Sequence, residues 1–191
     1  MHSSDLVSGY ADQAMVEASL PVRANNDEIM RQSAILLRLI RLLDQDGRQD
    51  SVDELVERVA KRLETSLGIH ELYLEKDRAE LEAFSAELER AQETKEVLRV
   101  RKEVGDIFDE EYRLKMAVAD WGIENYKEKA RVLEGSVASM SCLGDQFDSG
   151  VVEDIRALAR DDYRRIRELG LDPRLSEVVI GSLGKIAENL R

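Results

Sequence analysis

Apolar positions in the second half of this chain fall on a heptad rhythm. They occur at Tyr112, Met116, Ala119, Ile123, Tyr126, Ala130, Leu133, Val137 and Met140, alternating steps of four and three without a break. Such a stripe winds slowly around an α-helix and calls for a second helix along its length. A partner stripe precedes it at Leu74, Leu81, Phe84, Leu88, Ala91 and Leu98, in the same frame, with Asp77 and Lys95 at the two polar positions. The short segment 105–109 between them is long enough only for a tight antiparallel return. The pattern predicts an antiparallel coiled-coil hairpin over 70–141, with Leu98 facing Met116, Lys95 facing Ala119, Ala91 facing Ile123 and Leu88 facing Tyr126. Continuing outward, Phe84 faces Ala130, Leu81 faces Leu133, Asp77 faces Val137 and Leu74 faces Met140. Large side chains then stand opposite small ones at Phe84 with Ala130 and at Ile123 with Ala91, as close packing requires.

Elsewhere the pattern is helical but shorter in range. Residues 5–19 read as a short helix ended by Pro21, with a linker after it and Asn26 as a candidate N-cap. From 27 to 44, Ile29, Leu36, Ile40 and Leu43 form one stripe while Ile35, Leu39 and Leu42 occupy other faces, so this helix needs burial nearly all round. A turn is expected over Asp44–Asp50, then a helix to Leu67 with Val52, Leu55, Val59 and Leu63 inward, interrupted at Gly68. Residues 141–150 read as a flexible joint, 151–169 as one helix stopped by Gly170, and Asp172-Pro173 as the opening of a last amphipathic helix using Leu175, Val179, Leu183, Ile186 and Leu190. The expected fold is all-α, a long antiparallel coiled-coil hairpin with flanking short helices. The expected regions are an N-terminal helical region 1–69, the hairpin 70–141 and a C-terminal helical pair 142–191.

One apolar group is left over. Leu114, Val118 and Trp121 lie on the side of the second arm away from the seam, and Val97, Val100 and Val104 of the first arm fall nearby. Either another helix of the chain covers them, with 27–44 the candidate, or they form a surface for a partner or a second copy.

Composition narrows the function classes. Charged residues make up 36% of the chain and aromatics 5%, with 2 prolines, which suits long solvated helices. The net charge is -12, and no segment is basic, which disfavours nucleic-acid and anionic-membrane binding. The exception to weigh is the 151–169 helix with Arg156, Arg160, Arg164, Arg165 and Arg167, the basis of an alternative reading as a peripheral membrane or nucleic-acid-associated protein. Glu153, Asp154, Asp161, Asp162 and Glu168 match those arginines and favour a solvated, salt-bridged face instead. Cys142, His2 and His70 are too few for a zinc site, and Cys142 reads as a small apolar residue near a helix end. No phosphate loop, nucleophile elbow or metal-binding His-Glu motif occurs, so neither catalysis nor a cofactor is expected. The chain lacks a signal-peptide pattern and its most apolar stretch, Ala34–Leu43, is too short to span a bilayer, so a cytoplasmic location is expected.

The stretch from Arg101 to Tyr126 carries Gly-x-Ile before Glu-Glu-Tyr, a lysine three residues on, then Asp-Trp-x-Ile-x-x-Tyr. It resembles the hairpin tip and second arm of archaeal CdvA-like coiled-coil proteins, over about residues 71–141. Here Ile107 can staple onto Tyr112 while Glu111 closes a capping box, with Asp109 or Asp106 as the cap because Phe108 holds the usual cap position. The resemblance implies a cytoplasmic scaffold that self-associates as a homo-oligomer at the division site and engages an ESCRT-III-like protein partner, with links to membrane and DNA. The family's N-terminal barrel has no counterpart, since helices occupy its place, and residues 173–190 read as a helix where a strand-like capture tail would lie.

Overall fold

The computed structural model describes residues 4–46 and 50–190, with side chains described for 21–45 and 52–190. Among the described residues the protein is all-α: α1 (Ser4–Asp46), α2 (Asp50–Glu103), α3 (Asp109–Ser141), a 3-10 turn (Leu143–Gln146), α4 (Ser149–Arg160), α5 (Arg164–Glu168) and α6 (Pro173–Asn189), with no strand. Two compact units result. One gathers the chain up to Tyr73 with the chain from Ser139 onward, and the other is Leu74–Ala138. Residues of 1–69 and of 142–191 contribute to one core, and α2 gives its first part to one unit and the remainder to the other.

The first unit is built around the over-apolar part of α1. Ile29, Leu36, Leu37, Leu39, Ile40 and Leu43 are all buried, so apolar side chains on several faces of this helix are satisfied at once. Val56, Val59, Ala60, Leu63 and Leu67 of α2 join them, as do Ile155 and Leu158 of α4 and Val179, Leu183 and Ile186 of α6. α4 packs on both α1 and α6, and α5 on α6. Asp172 opens α6 as expected, its carboxylate accepting from the Arg174 and Leu175 amides, with Pro173 in the first turn.

Several local expectations are corrected. Pro21 does not end a helix but lies inside α1, where the missing amide costs one backbone bond that the packing of 26–43 outweighs. Asn26 is no cap: it is buried, its amide oxygen 3.1 Å from His70 Nδ1 and its amide nitrogen donating to Gln146. Gly68 does not interrupt α2, which runs on through it with that position exposed. Leu55 is 39% exposed and Val56 takes the inward place, a one-residue shift that rotates the buried face by about 100°. The turn expected over 44–50 lies partly outside the described residues, α1 ending at Asp46 and α2 starting at Asp50.

The expected joint at 141–150 is a packed segment. Leu143 is fully buried and Phe147 nearly so, while Cys142 is exposed rather than packed. A Cβ on Gly144 would lie 2.6 Å from the Asn189 carbonyl oxygen, so only glycine lets the 3-10 turn approach the end of α6 this closely. The single helix expected over 151–169 is two helices. Asp162 and Tyr163 both take left-handed backbone angles, φ 48° and 55°, and their amides bond back to Ala159 and Leu158 to close α4 before α5 starts in a new direction.

In the second unit side-chain contacts join α2 and α3. Ser136 Oγ donates to Asp77 Oδ2 at 2.6 Å, Lys129 Nζ lies 4.9 Å over the Phe84 ring, and Gly122 sits against Ala91. Each step moves seven residues up α2 and seven down α3. At the turn, Gly105 adopts φ 75° and the Asp106 amide bonds the Arg101 carbonyl, ending α2.

Candidate functional site: an uncovered apolar face

The heptad positions of the second unit are the more covered ones. Leu98, Ala119 and Ala130 are buried, and Leu74, Leu81, Phe84, Leu88, Ala91, Tyr112, Met116, Ile123, Tyr126, Leu133 and Val137 are half-buried. Met140 is fully buried but belongs to the first unit. The two polar heptad positions have found polar partners. Lys95 Nζ pairs with Asp120 and Asp77 accepts from Ser136, so neither leaves a charge stranded. Tyr126 stacks on Phe84 with ring centroids 6.3 Å apart, so Lys129 and Tyr126 shape the space around that ring.

The leftover apolar group is exposed. Trp121 is 68% and Val118 70% accessible, and Leu114, Val97, Val100 and Val104 are likewise open. Val97, Leu114, Val118 and Trp121 line one groove of about 790 Å³ between α2 and α3, floored by Ala91, Leu98, Ala119 and Gly122. Its rim is charged: Glu87, Arg90 and Glu93 on one stretch of α2, Arg101 and Lys115 at the end near the turn. Val100 and Val104 are exposed beside it without lining it. Meanwhile the apolar side chains of 27–44 are spent in the core of the first unit, and that was the helix expected to compete for this face.

Sequence reasoning missed Phe108, which at 84% exposure is the most open large apolar side chain described, next to the buried Ile107. Its position among loop residues gave the available signal. The Phe108 carbonyl accepts the Tyr112 amide and starts α3. The acids proposed as caps are engaged elsewhere, Asp106 with Arg101, Asp109 with Lys102 and Glu111 with Lys115 rather than in a capping box.

The shifted titrating groups beside the groove are held by exposed ion pairs. Lys115 holds the Glu111 carboxyl below its ordinary value, and Asp106 raises the Arg101 guanidinium, both through exposed hydrogen bonds. Burial lowers the pKa of His70, a group of the first unit. Among the described residues no group of three or more His, Cys, Asp or Glu side chains could hold a metal ion. The arginines of the alternative reading are largely engaged: Arg156 donates to the Leu190 carbonyl, Arg160 to the Arg156 carbonyl, and Arg164, Arg165 and Arg167 pair with Glu168, Asp161 and Asp162. Among the described residues no helix is long and apolar enough to cross a membrane. Comparison with known proteins gave no match to a family model, to a curated protein or to a solved structure.

Proposed function

We propose that this protein is a non-enzymatic helical scaffold or adaptor of the cytoplasm, with residues 74–138 acting as an antiparallel coiled-coil hairpin that offers its outer face to protein partners. The observation that carries the reading is the groove around Trp121. A tryptophan, two valines and a leucine stay open to water on a face whose neighbouring seam is covered. Exposing such a set is unfavourable by about 25 cal/mol per Å² of apolar surface, and a contiguous patch of this kind characterises interaction surfaces. The opposite-sense contacts of Asp77, Phe84, Ala91 and Lys95 support the hairpin.

Light scattering on the wild-type chain and on Trp121→Ala, paired with affinity capture by each, tests the proposal. A chain that neither self-associates nor retains any protein through Trp121 would end it. A setting in archaeal division or ESCRT-III-type membrane remodelling rests on the residues of 101–126 alone, and retention of an ESCRT-III-like protein by wild type but not by Trp121→Ala is its test. The alternative, lipid or nucleic-acid contact through Arg156, Arg160, Arg164, Arg165 and Arg167, is disfavoured by their engagement with acids and carbonyls. Salt-sensitive sedimentation with anionic vesicles or duplex DNA would revive it.

A further inference from the structure

Resting on the scaffold reading, we infer that the occupant of the Trp121 groove is a second copy of the same groove, laid face to face and antiparallel, on a two-fold axis passing through Val97 and Val118. Three observations point there.

The first is level. Val97 on α2 and Val118 on α3, each two residues nearer the turn than the ion-paired Lys95 and Asp120, both line the groove toward its turn end. The second is charge order. On α2, Glu93 lies four residues before Val97 and Arg101 four residues after it, so all three share one helix face, and all three line the groove. A two-fold axis lying in the interface across the helices sets α2 against α2 of the other copy in reverse direction, which places Arg101 of each copy opposite Glu93 of the other, twice, where Glu93 competes with the Asp106 carboxylate that holds Arg101 within its own chain. The third is the matching arrangement on α3. Lys115 and Trp121 are each three residues from Val118, and both line the groove. The same axis puts each lysine over the other copy's indole, where its stem covers apolar surface and its ammonium, paired with Glu111 in its own chain, meets the ring face.

A surface that is self-complementary about its own centre is what a symmetric dimer requires, because any residue contacting another is contacted in return. The other face-to-face two-fold arrangement, with its axis along the helices, is equally symmetric but sets α2 against the other copy's α3 at the same level, so Arg101 of one copy meets the Lys115 end of the other, cation near cation. An unrelated partner would have no need of charges spaced equally to either side of one valine. The chain's overall acidity opposes bringing two copies together, and the two Arg101 to Glu93 pairs offset it at the one place where the copies touch.

The decisive experiment uses two full-length variants, Arg101→Glu and Glu93→Lys, studied alone and mixed by sedimentation velocity, with far-UV circular dichroism to confirm unchanged helicity. Wild type should be dimeric. Each variant alone sets like charges opposite each other twice and should dimerise at least about tenfold more weakly. An equimolar mixture should recover the wild-type affinity. In the mixed dimer the glutamate introduced at position 101 of one chain meets the lysine introduced at position 93 of the other, and the second pair remains the native Arg101 with Glu93. Trp121→Ala should weaken the dimer by about 30-fold or more, as truncation of a central tryptophan does. Weakening without rescue on mixing overturns the antiparallel arrangement. A dimer indifferent to all three substitutions overturns the groove as the contact, while leaving a self-associating scaffold intact. A wild-type chain that stays monomeric at every usable concentration also overturns the inference, and the scaffold reading then depends on capture of another protein through Trp121.

Discussion

His70 should make the first unit sensitive to mild acid. Its ring is 3% exposed, its Nδ1–H donates to the Asn26 amide oxygen at 3.1 Å, and its Nε2 is buried without a hydrogen-bond partner. Burial lowers the pKa from the ordinary 6.5, outweighing the Glu71 carboxylate and the Met140 carbonyl, which both favour the charged ring. The sign follows from proton uptake. Below about pH 6.5 the unfolded chain binds a proton that the folded protein refuses, so stability is complete above that pH and falls as the pH drops toward the lowered folded value. Each unit of depression corresponds to about 1.4 kcal/mol, which is also the steepest loss per pH unit within the window. Urea unfolding followed by circular dichroism at pH 8.0, 7.0, 6.0 and 5.5 measures it. The reference is His70→Gln, which keeps an amide donor for Asn26 but cannot titrate; His2 is present in both proteins and cancels. The wild-type midpoint should fall relative to the variant between about pH 6.5 and 5.5. Parallel profiles, or a wild type that gains stability on acidification, would refute the reasoning.

Three further outcomes test the packing. Gly144→Ala should cost about 1 to 3 kcal/mol because its Cβ meets backbone at 2.6 Å, whereas Gly135→Ala, in an open helical position, should gain up to about 1 kcal/mol; equal urea midpoints would mean that the 3-10 turn is not seated on α6. Leu63→Ala, at 0% exposure, should lose about 2 to 5 kcal/mol while Leu42→Gln, at 47%, stays within about 0.5, and a comparable loss at both would refute the assigned face of α1. Asp162→Gly should raise the thermal midpoint, gaining roughly 0.5 to 1 kcal/mol, since a left-handed residue is relieved and Arg167 keeps its bond to the backbone carbonyl at that position; a lowered midpoint would show that the carboxylate matters more than the backbone angle.

What the sequence made legible was what nearest neighbours decide. Asp172-Pro173 opens α6 because cap and proline act within three residues, and the excess of apolar side chains between Ile29 and Leu43 could only mean burial. What it hid depends on partners far along the chain. Asn26 looks like a cap locally, yet its partners His70 and Gln146 lie 44 and 120 residues away. Pro21 and Gly68 look like breaks, yet α1 and α2 run through both. The Asp162-Tyr163 reversal has no glycine to announce it. The Trp121 face was recognisable as surplus, but whether it was covered depended on where the apolar helix 27–44 is spent, and no local pattern carries that.

The polar heptad positions also explain why α2 and α3 meet in one register. An apolar seam alone tolerates sliding by seven residues, since every heptad offers a similar stripe. Lys95 does not. In the observed register it pairs with Asp120; a slip of one heptad in either direction would set it against Lys127 or Arg113, two cations in place of one anion. Asp77 behaves in the same way, because losing Ser136 leaves its half-buried carboxylate without that donor. The Phe84 and Tyr126 stack would separate as well. Each polar exception weakens the seam as a hydrophobic contact and strengthens it as a specification. That specification also fixes the outer face, since a slip of α3 along α2 would carry Leu114, Val118 and Trp121 away from Val97, with which they line one groove.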